Sequence, residues 1–228
     1  PGVYIKNLKT NSGKQIHISH EKTKYFKLNL SNSGDKLAFV KDADSTKTYQ
    51  RPYELYLWDS SKKNSKLILD MDSSPDGYKV SPYGDIKFSK NESKLYFGLG
   101  LPEIVQDTLL LDEEIVNVEV WTYDEPRLYT VQEKQIENDM KKSFQTVYHI
   151  KDDKLIQIAT KEFPIATLSD EGNGDYALIS NPEPYQLSSQ WTALFSMNDL
   201  AVMNINNGNS KIVIKSNPST ARFSPEGE

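Results

Sequence analysis

The chain has 228 residues, 37% of them hydrophobic and 26% charged, with a net charge of −5 and no cysteine. These values exclude a disulfide scaffold and thiol chemistry, and they argue against a nucleic-acid partner, which needs clustered Lys and Arg rather than pairs such as Lys62-Lys63. The longest apolar run, residues 95–101, is far short of the roughly 18 residues that a membrane-spanning helix needs.

In chain order, the elements read almost entirely as strands. Residues 3–8 and 14–18 flank the turn Lys9-Thr-Asn-Ser-Gly13 and form an outer strand pair. Strands follow at 25–30, 36–41, 53–58 and 66–70, then at 85–89, 94–98, 145–150 and 154–160, then at 165–169, 175–180, 199–205 and 211–215. The 13 Tyr and 8 Phe suit a pleated surface. The polar hairpins Ser60-Ser-Lys-Lys-Asn64, Lys151-Asp-Asp153 and Asn206-Asn-Gly-Asn209 supply the positive-φ positions of tight turns.

One supersecondary unit recurs. Strand, Ser, polar turn and second strand appear at Ser31, Ser89 and Ser169, and a fourth copy, Arg222-Phe-Ser224-Pro-Glu-Gly227, stops inside its turn. The marker serines are 58, 80 and 55 residues apart, longer than the 40–45 residues of a minimal four-stranded propeller blade. The fold class is therefore all-β, a partial β-propeller of four-stranded antiparallel blades, about three complete plus edge strands. The expected division is 1–19 for the outer strands of a preceding blade, blades at 25–72, 85–160 and 165–216, and the start of another at 220–228. The first residues already read as strand, so the chain is expected to be a piece of a larger repeat protein.

The extra length falls between the second and third strands of every blade, at about 42–52, 99–144 and 181–198. Equivalent connections lie on one face of a propeller, so three enlargements there build one elaborated face. The middle insertion, about 101–143, carries the helix. Asp124 caps it, Pro126 sits in its first turn, Leu128, Val131, Ile136 and Met140 recur along it, and Lys141-Lys142 end it. Residues 118–123 read as a short extra strand before it.

Few motifs carry chemistry. G-x-S-x-G is absent, so no catalytic residue is assigned. His17, His20 and His149 lack triad partners and read as strand or surface residues; without Cys they assign no metal site, and no cofactor is implied. Asp70-Met-Asp72-Ser-Ser-Pro-Asp76 lacks the Gly and closing Glu of a calcium loop. Asp112-Glu113-Glu114 reads as a solvated loop.

Two constellations remain on the elaborated face: Val118-Glu-Val-Trp121-Thr-Tyr123-Asp124-Glu125-Pro-Arg127, and Asn181-Pro-Glu183-Pro-Tyr185 followed by Gln190-Trp191. Through Val118, Val120, Trp121, Tyr123, Glu125 and Gln132, the first resembles the propeller part of prolyl oligopeptidase and dipeptidyl peptidase-family serine peptidases, in particular long members typical of Bacteroidetes. The resemblance implies a propeller that filters peptides for a covalently linked α/β-hydrolase domain outside these residues, in a periplasmic or secreted protein. Dipeptidyl peptidases use a W-x-Y-E-E segment to hold a substrate amine, and Trp121-Thr-Tyr123-Asp124-Glu125 is similar, with Asp in place of the first Glu. The implied substrate-binding set is Trp121, Tyr123, Asp124, Glu125, Arg127, Glu183, Tyr185 and Trp191. Two other functions fit the same fold: a periplasmic protein-interaction propeller like that of the Tol system, and a carbohydrate-active propeller using carboxylate pairs on its central tunnel.

Overall fold

The structure is a computed structural model describing residues 2–20, 22–42, 46, 48–104, 118, 120, 122–191 and 196–224, with Trp191 described in its backbone only. Strands β1 (Gly2–Lys6) and β2 (Gly13–Ile18) pair as a hairpin. β3 (Lys24–Leu30), β4 (Lys36–Asp42), β5 (Tyr53–Asp59) and β6 (Lys66–Leu69) form an antiparallel meander, each strand beside its neighbour in sequence. In the third sheet the inner strand is split into β7 (Lys79–Val80) and β8 (Lys87–Phe88), both paired with β9 (Lys94–Gly100). Helix α1 (Tyr129–Met140) intervenes before β10 (Phe144–His149) and β11 (Lys154–Gln157) complete that sheet. The fourth comprises β12 (Ile165–Leu168), β13 (Tyr176–Asn181), β14 (Asn198–Asn204) and β15 (Ser210–Asn217). This is the expected partial propeller of four-stranded antiparallel blades.

Alternation of side chains across each strand explains the stack. Val3, Ile16, Leu37, Phe39 and Trp58 close the first hairpin on the second sheet. Ala38, Val40, Leu55 and Leu57 meet Phe88, Leu95, Phe97 and Leu99 between the second and third. Tyr96 and Val147 meet Ala177, Ile179, Ala201 and Met203 between the third and fourth. β9 lies in the middle of this stack and is buried at all seven positions. Each large apolar side chain there contributes about 1.5–3 kcal/mol by leaving water.

The repeated serines are buried, and each organises its turn in the same way. The amides of Gly34, Glu92 and Gly172 donate to the carbonyls of Ser31, Ser89 and Ser169, three residues back. The Ser31 and Ser89 hydroxyl oxygens accept from the amides of Lys36 and Lys94, both at 3.1 Å. The turn's fourth residue adopts φ of 80° at Gly34, 57° at Glu92 and 86° at Gly172. Glycine takes that conformation without steric cost, whereas Glu92 is strained there. The Glu92 carboxylate is well held: it accepts from the Ser33 amide at 2.6 Å and the Ser33 hydroxyl at 2.7 Å, and pairs with Lys36 at 3.3 Å. These bonds, the amide foremost, pull its pKa down to about 2.

Two of the three histidines, His17 and His149, are held in the sheets, while His20 is exposed. His17 packs among Tyr25, Phe39 and Tyr56 and bonds to the Ser65 hydroxyl at 2.8 Å, while His149 bonds to the Ile205 carbonyl at 2.8 Å.

Several local expectations are corrected. The helix begins at Tyr129 after Leu128, with no side-chain cap, so Asp124 and Pro126 lie outside it. Pro126 fixes the backbone before the helix but stands three positions ahead of its first residue, Tyr129. Val118, Val120 and Thr122 are not in strand, while residues 119 and 121 fall outside the described set. The expected strand at 85–89 is only the second piece of a broken inner strand. Between the pieces, residues 81–86 pass close over β9, where a Cβ on Gly84 would meet the Gly98 Cα at 2.5 Å. A second helix, α2 (Gln186–Trp191), was not expected. Residues 218–224 are not in strand, and 225–228 lie outside the described residues, as does Asp112-Glu113-Glu114.

Candidate functional site

Described residues of all three insertions are tied to one another by side chains. Gln50 donates to the Glu103 carbonyl at 2.8 Å, joining the first insertion to the root of the second. The Glu103 carboxylate pairs with Lys79, whose side chain is 5% exposed and whose amine lies 5.5 Å from the Tyr53 ring centroid. A buried ammonium requires such partners because its desolvation is otherwise uncompensated. Asp42, 2% exposed, is paired with Arg51 at 2.6 Å beside them. Burial raises the Tyr53 hydroxyl pKa, and Asp42 adds to that shift. At the other root of the second insertion, Lys142 pairs with Glu183 of the third at 3.1 Å, and the Gln190 amide donates to the Pro126 carbonyl.

Helix α1 organises the segment before it through its polar side. Gln132, Gln135 and Asp139 recur at helical spacing and converge on Arg127. Gln132 donates to the Arg127 carbonyl at 2.8 Å; the guanidinium donates to Gln135 at 2.8 Å and to Asp139 at 2.7 Å. Asp139 foremost raises the Arg127 pKa. The segment before the helix is thereby folded back along it, leaving a recess of about 770 Å³. Val120, Tyr123, Leu128, Ile136 and Leu187 supply its apolar wall, and Glu125, Glu133 and Asp139 its carboxylates. Arg127 is its single cation among the lining residues and is bound to Asp139, so the recess carries excess negative charge. Gln132 is the neutral partner of Glu125, at 3.4 Å.

The expected site residues fall into three groups. Tyr123, Glu125 and Arg127 line the recess. Asp124 is exposed beside it, its carboxyl held below the usual carboxylate range chiefly by the Thr122 hydroxyl. Glu183 and Tyr185 sit at the root of the third insertion, Glu183 on Lys142 and Tyr185 on Asp199 at 2.5 Å. Trp121 and the Trp191 side chain lie outside the described residues. Sequence reasoning missed Glu133, Gln135, Asp139 and Leu187; the polar period that starts at Gln132 would have found Gln135 and Asp139, but only the apolar residues of the helix were followed. No group of three or more His, Cys, Asp and Glu residues able to hold a metal occurs among the described residues.

The four sheets and their elaborated face define a β-propeller. No family model matches the sequence, and no curated protein matches it. Among solved structures, the chain is similar to the β-propeller domain of the Trilobed protease from Pyrococcus furiosus, at 12% identity and TM-score 0.45, over 93% of this chain and 49% of that one. It is similar to the Pyrococcus horikoshii acylaminoacyl peptidase at 14% identity and TM-score 0.43, over 93% of this chain and 27% of that one. A prolyl endopeptidase aligns at 10% identity and TM-score 0.42, over 94% of this chain and 26% of that one. The chain thus spans about half of the first and about a quarter of the other two. The likeness is one of fold, to the propellers of such proteases.

Proposed function

We propose that this chain is a non-catalytic propeller that gates and recognises peptides for an α/β-hydrolase serine peptidase domain of the same protein, outside the cytoplasm. The observation that carries this reading is the recess on the elaborated face, with apolar walls and more carboxylate than cation. A peptide N-terminus brings an ammonium beside an apolar side chain, which suits that lining. Glu125 in the recess and Asp124 beside it are the carboxylates assigned to the ammonium, and charge-assisted hydrogen bonds of this kind are the strong ones.

The test is steady-state kinetics of the whole protein with both residues changed, Asp124→Ala with Glu125→Ala. Loss of the charge-assisted hydrogen bonds raises KM for free-amine peptides by about tenfold or more. N-acetylated peptides are turned over as before. Unchanged kinetics, or equal losses on both substrates, overturn the reading. A second reading, an interaction propeller without an enzymatic domain, is favoured by the exposure of Leu128, Ile136 and Met140 along α1. Its signature is a protein with no peptidase activity at all.

A further inference from the structure

Among the described residues, the hairpin of β1 and β2 pairs with no other strand and is held by the face it lays on the second sheet. Val3 and Ile16 supply the apolar part of that junction, against Leu37, Phe39 and Trp58. Its polar part is small. The Ser65 amide donates to the Ile16 carbonyl at 2.9 Å, and the Lys14 amine to the Lys62 carbonyl at 3.0 Å. His17, next to Ile16, is packed into the same junction. Its ring centroid lies 4.5 Å from that of Tyr56 in β5, 5.3 Å from Phe39 in β4 and 6.0 Å from Tyr25 in β3.

The polar groups around this ring come from every neighbouring element. β4 brings Lys41 and β5 brings Glu54, paired with each other at 2.7 Å. The Lys41 amine also donates to the Tyr56 hydroxyl at 3.3 Å, which in turn donates to Glu54 at 3.0 Å. The Tyr25 hydroxyl of β3 bonds to Ser19, and β1 sets Val3 opposite His17. After β5, the Ser65 hydroxyl lies 2.8 Å from the His17 Nδ1. The His17 Nε2 is buried with no hydrogen-bond partner among the described residues. A neutral imidazole has one N–H, and this setting leaves it one unpaired nitrogen. An imidazolium has an N–H on both nitrogens, so one donor is buried without an acceptor, beside a lysine that already shares the nearby carboxylate. Burial foremost, then Lys41, lowers the pKa of His17 against the pull of Glu54.

We propose that His17 is an acid-released clasp: on protonation it leaves the cage of Tyr25, Phe39 and Tyr56, and the hairpin of β1 and β2 detaches from the second sheet while the other sheets stay packed. Detachment returns the ring to water, where both N–H groups find acceptors. The docked hairpin therefore favours the neutral ring and the free hairpin the charged one. This contribution to docking is complete above the ordinary histidine value of 6.5 and is lost as pH falls below it. Glu92 acts in a separate window, below the ordinary carboxyl value of 4.5. The two devices are thus distinguishable by pH alone.

Amide hydrogen exchange at about pH 7.5 and about pH 5, corrected for intrinsic rates, reads the detachment, because a lone two-stranded hairpin is marginal in water. Exchange across residues 2–18 rises several-fold on acidification, below a ceiling of about thirtyfold set by titrating one group from 6.5 to about 5. Exchange in β9 is unchanged. His17→Gln and His17→Phe abolish the rise, whereas His20→Gln, at an exposed position, keeps it. Lys41→Met retains the imidazole but removes the neighbouring cation and frees Glu54, so the rise shrinks. Nuclear magnetic resonance of the ring places the His17 midpoint below 6.5. A midpoint at or above that value overturns the proposal even where the His17 variants fail to dock. Equal exchange at the two pH values, or a rise that survives in both His17 variants, also overturns it. Slower exchange in acid does the same, by showing that the three rings hold the imidazolium as a cation.

Discussion

The second strand of each full sheet has two ends, and the chain treats them in opposite ways. At one end it enters by a short serine turn, with the same amide-to-carbonyl bond and the same positive-φ position in all three sheets. At the other end it leaves by an insertion of different length in each sheet, tied down by ion pairs and side-chain amides. Turns closed by backbone bonds need little from the sequence beyond a serine and a residue tolerant of positive φ. Insertions must be held by long side chains that lose rotamer freedom, so their order depends on a few specific residues.

That contrast can be broken at three levels. The largest effect belongs to the strand that spans both ends. Phe97→Ala in β9 removes a ring that is 2% exposed, and a loss of about 3–5 kcal/mol is expected in urea unfolding. A loss below about 1 kcal/mol would mean that β9 is not the centre of the stack.

Next comes the turn end. Glu92→Gln weakens the bonds to Ser33 and Lys36, at an expected cost of about 1 kcal/mol at neutral pH. Folding lowers the pKa of this carboxyl, so the stabilisation is complete above its ordinary value and disappears as pH falls toward about 2. Unfolding midpoints of the two proteins therefore converge on acidification through that window. A constant gap down to pH 2 would show that the ionised carboxylate is not what holds the turn.

The smallest effect is at the insertion end. Lys142→Ala removes the half-exposed pair with Glu183, and the global midpoint moves by less than about 0.5 kcal/mol. Amide exchange nevertheless rises across residues 183–191, because one of their two ties to the second insertion is gone, the other being Gln190 to the Pro126 carbonyl, while the sheets are untouched. Exchange confined to its former rate would place the order of the third insertion elsewhere.

How much could be read in advance follows the same division. Ser31, Ser89 and Ser169 announced the turns because their backbone geometry demands particular residue types, and the strands between them alternate visibly. The split of the third sheet's inner strand was not legible. It depends on the contact between Gly84 and Gly98, fourteen residues apart and on different segments. The start of α1 was misplaced because Asp124 and Pro126 mimic a cap that the chain does not use. α2 was hidden by Ser188 and Ser189, poor helix formers that bond back to Tyr185 and Gln186. In the recess, Tyr123, Glu125 and Arg127 came from a linear motif, whereas Asp139 and Leu187 are brought there by helix phase and by a different insertion.

The buried strand β9 also has a kinetic consequence. Its partner β10 lies beyond a connection of 43 residues, whereas β4 and β5 are joined by 10. Closing the longer loop costs about 1.3 kcal/mol more in chain entropy, by the logarithmic growth of that cost with length. The meanders on either side can each zip locally, but neither can bury its inward face until β9 and β10 meet. By that cost, the pairing of β9 with β10 in the middle of the stack is the most expensive of the closures between strands that follow one another in the chain.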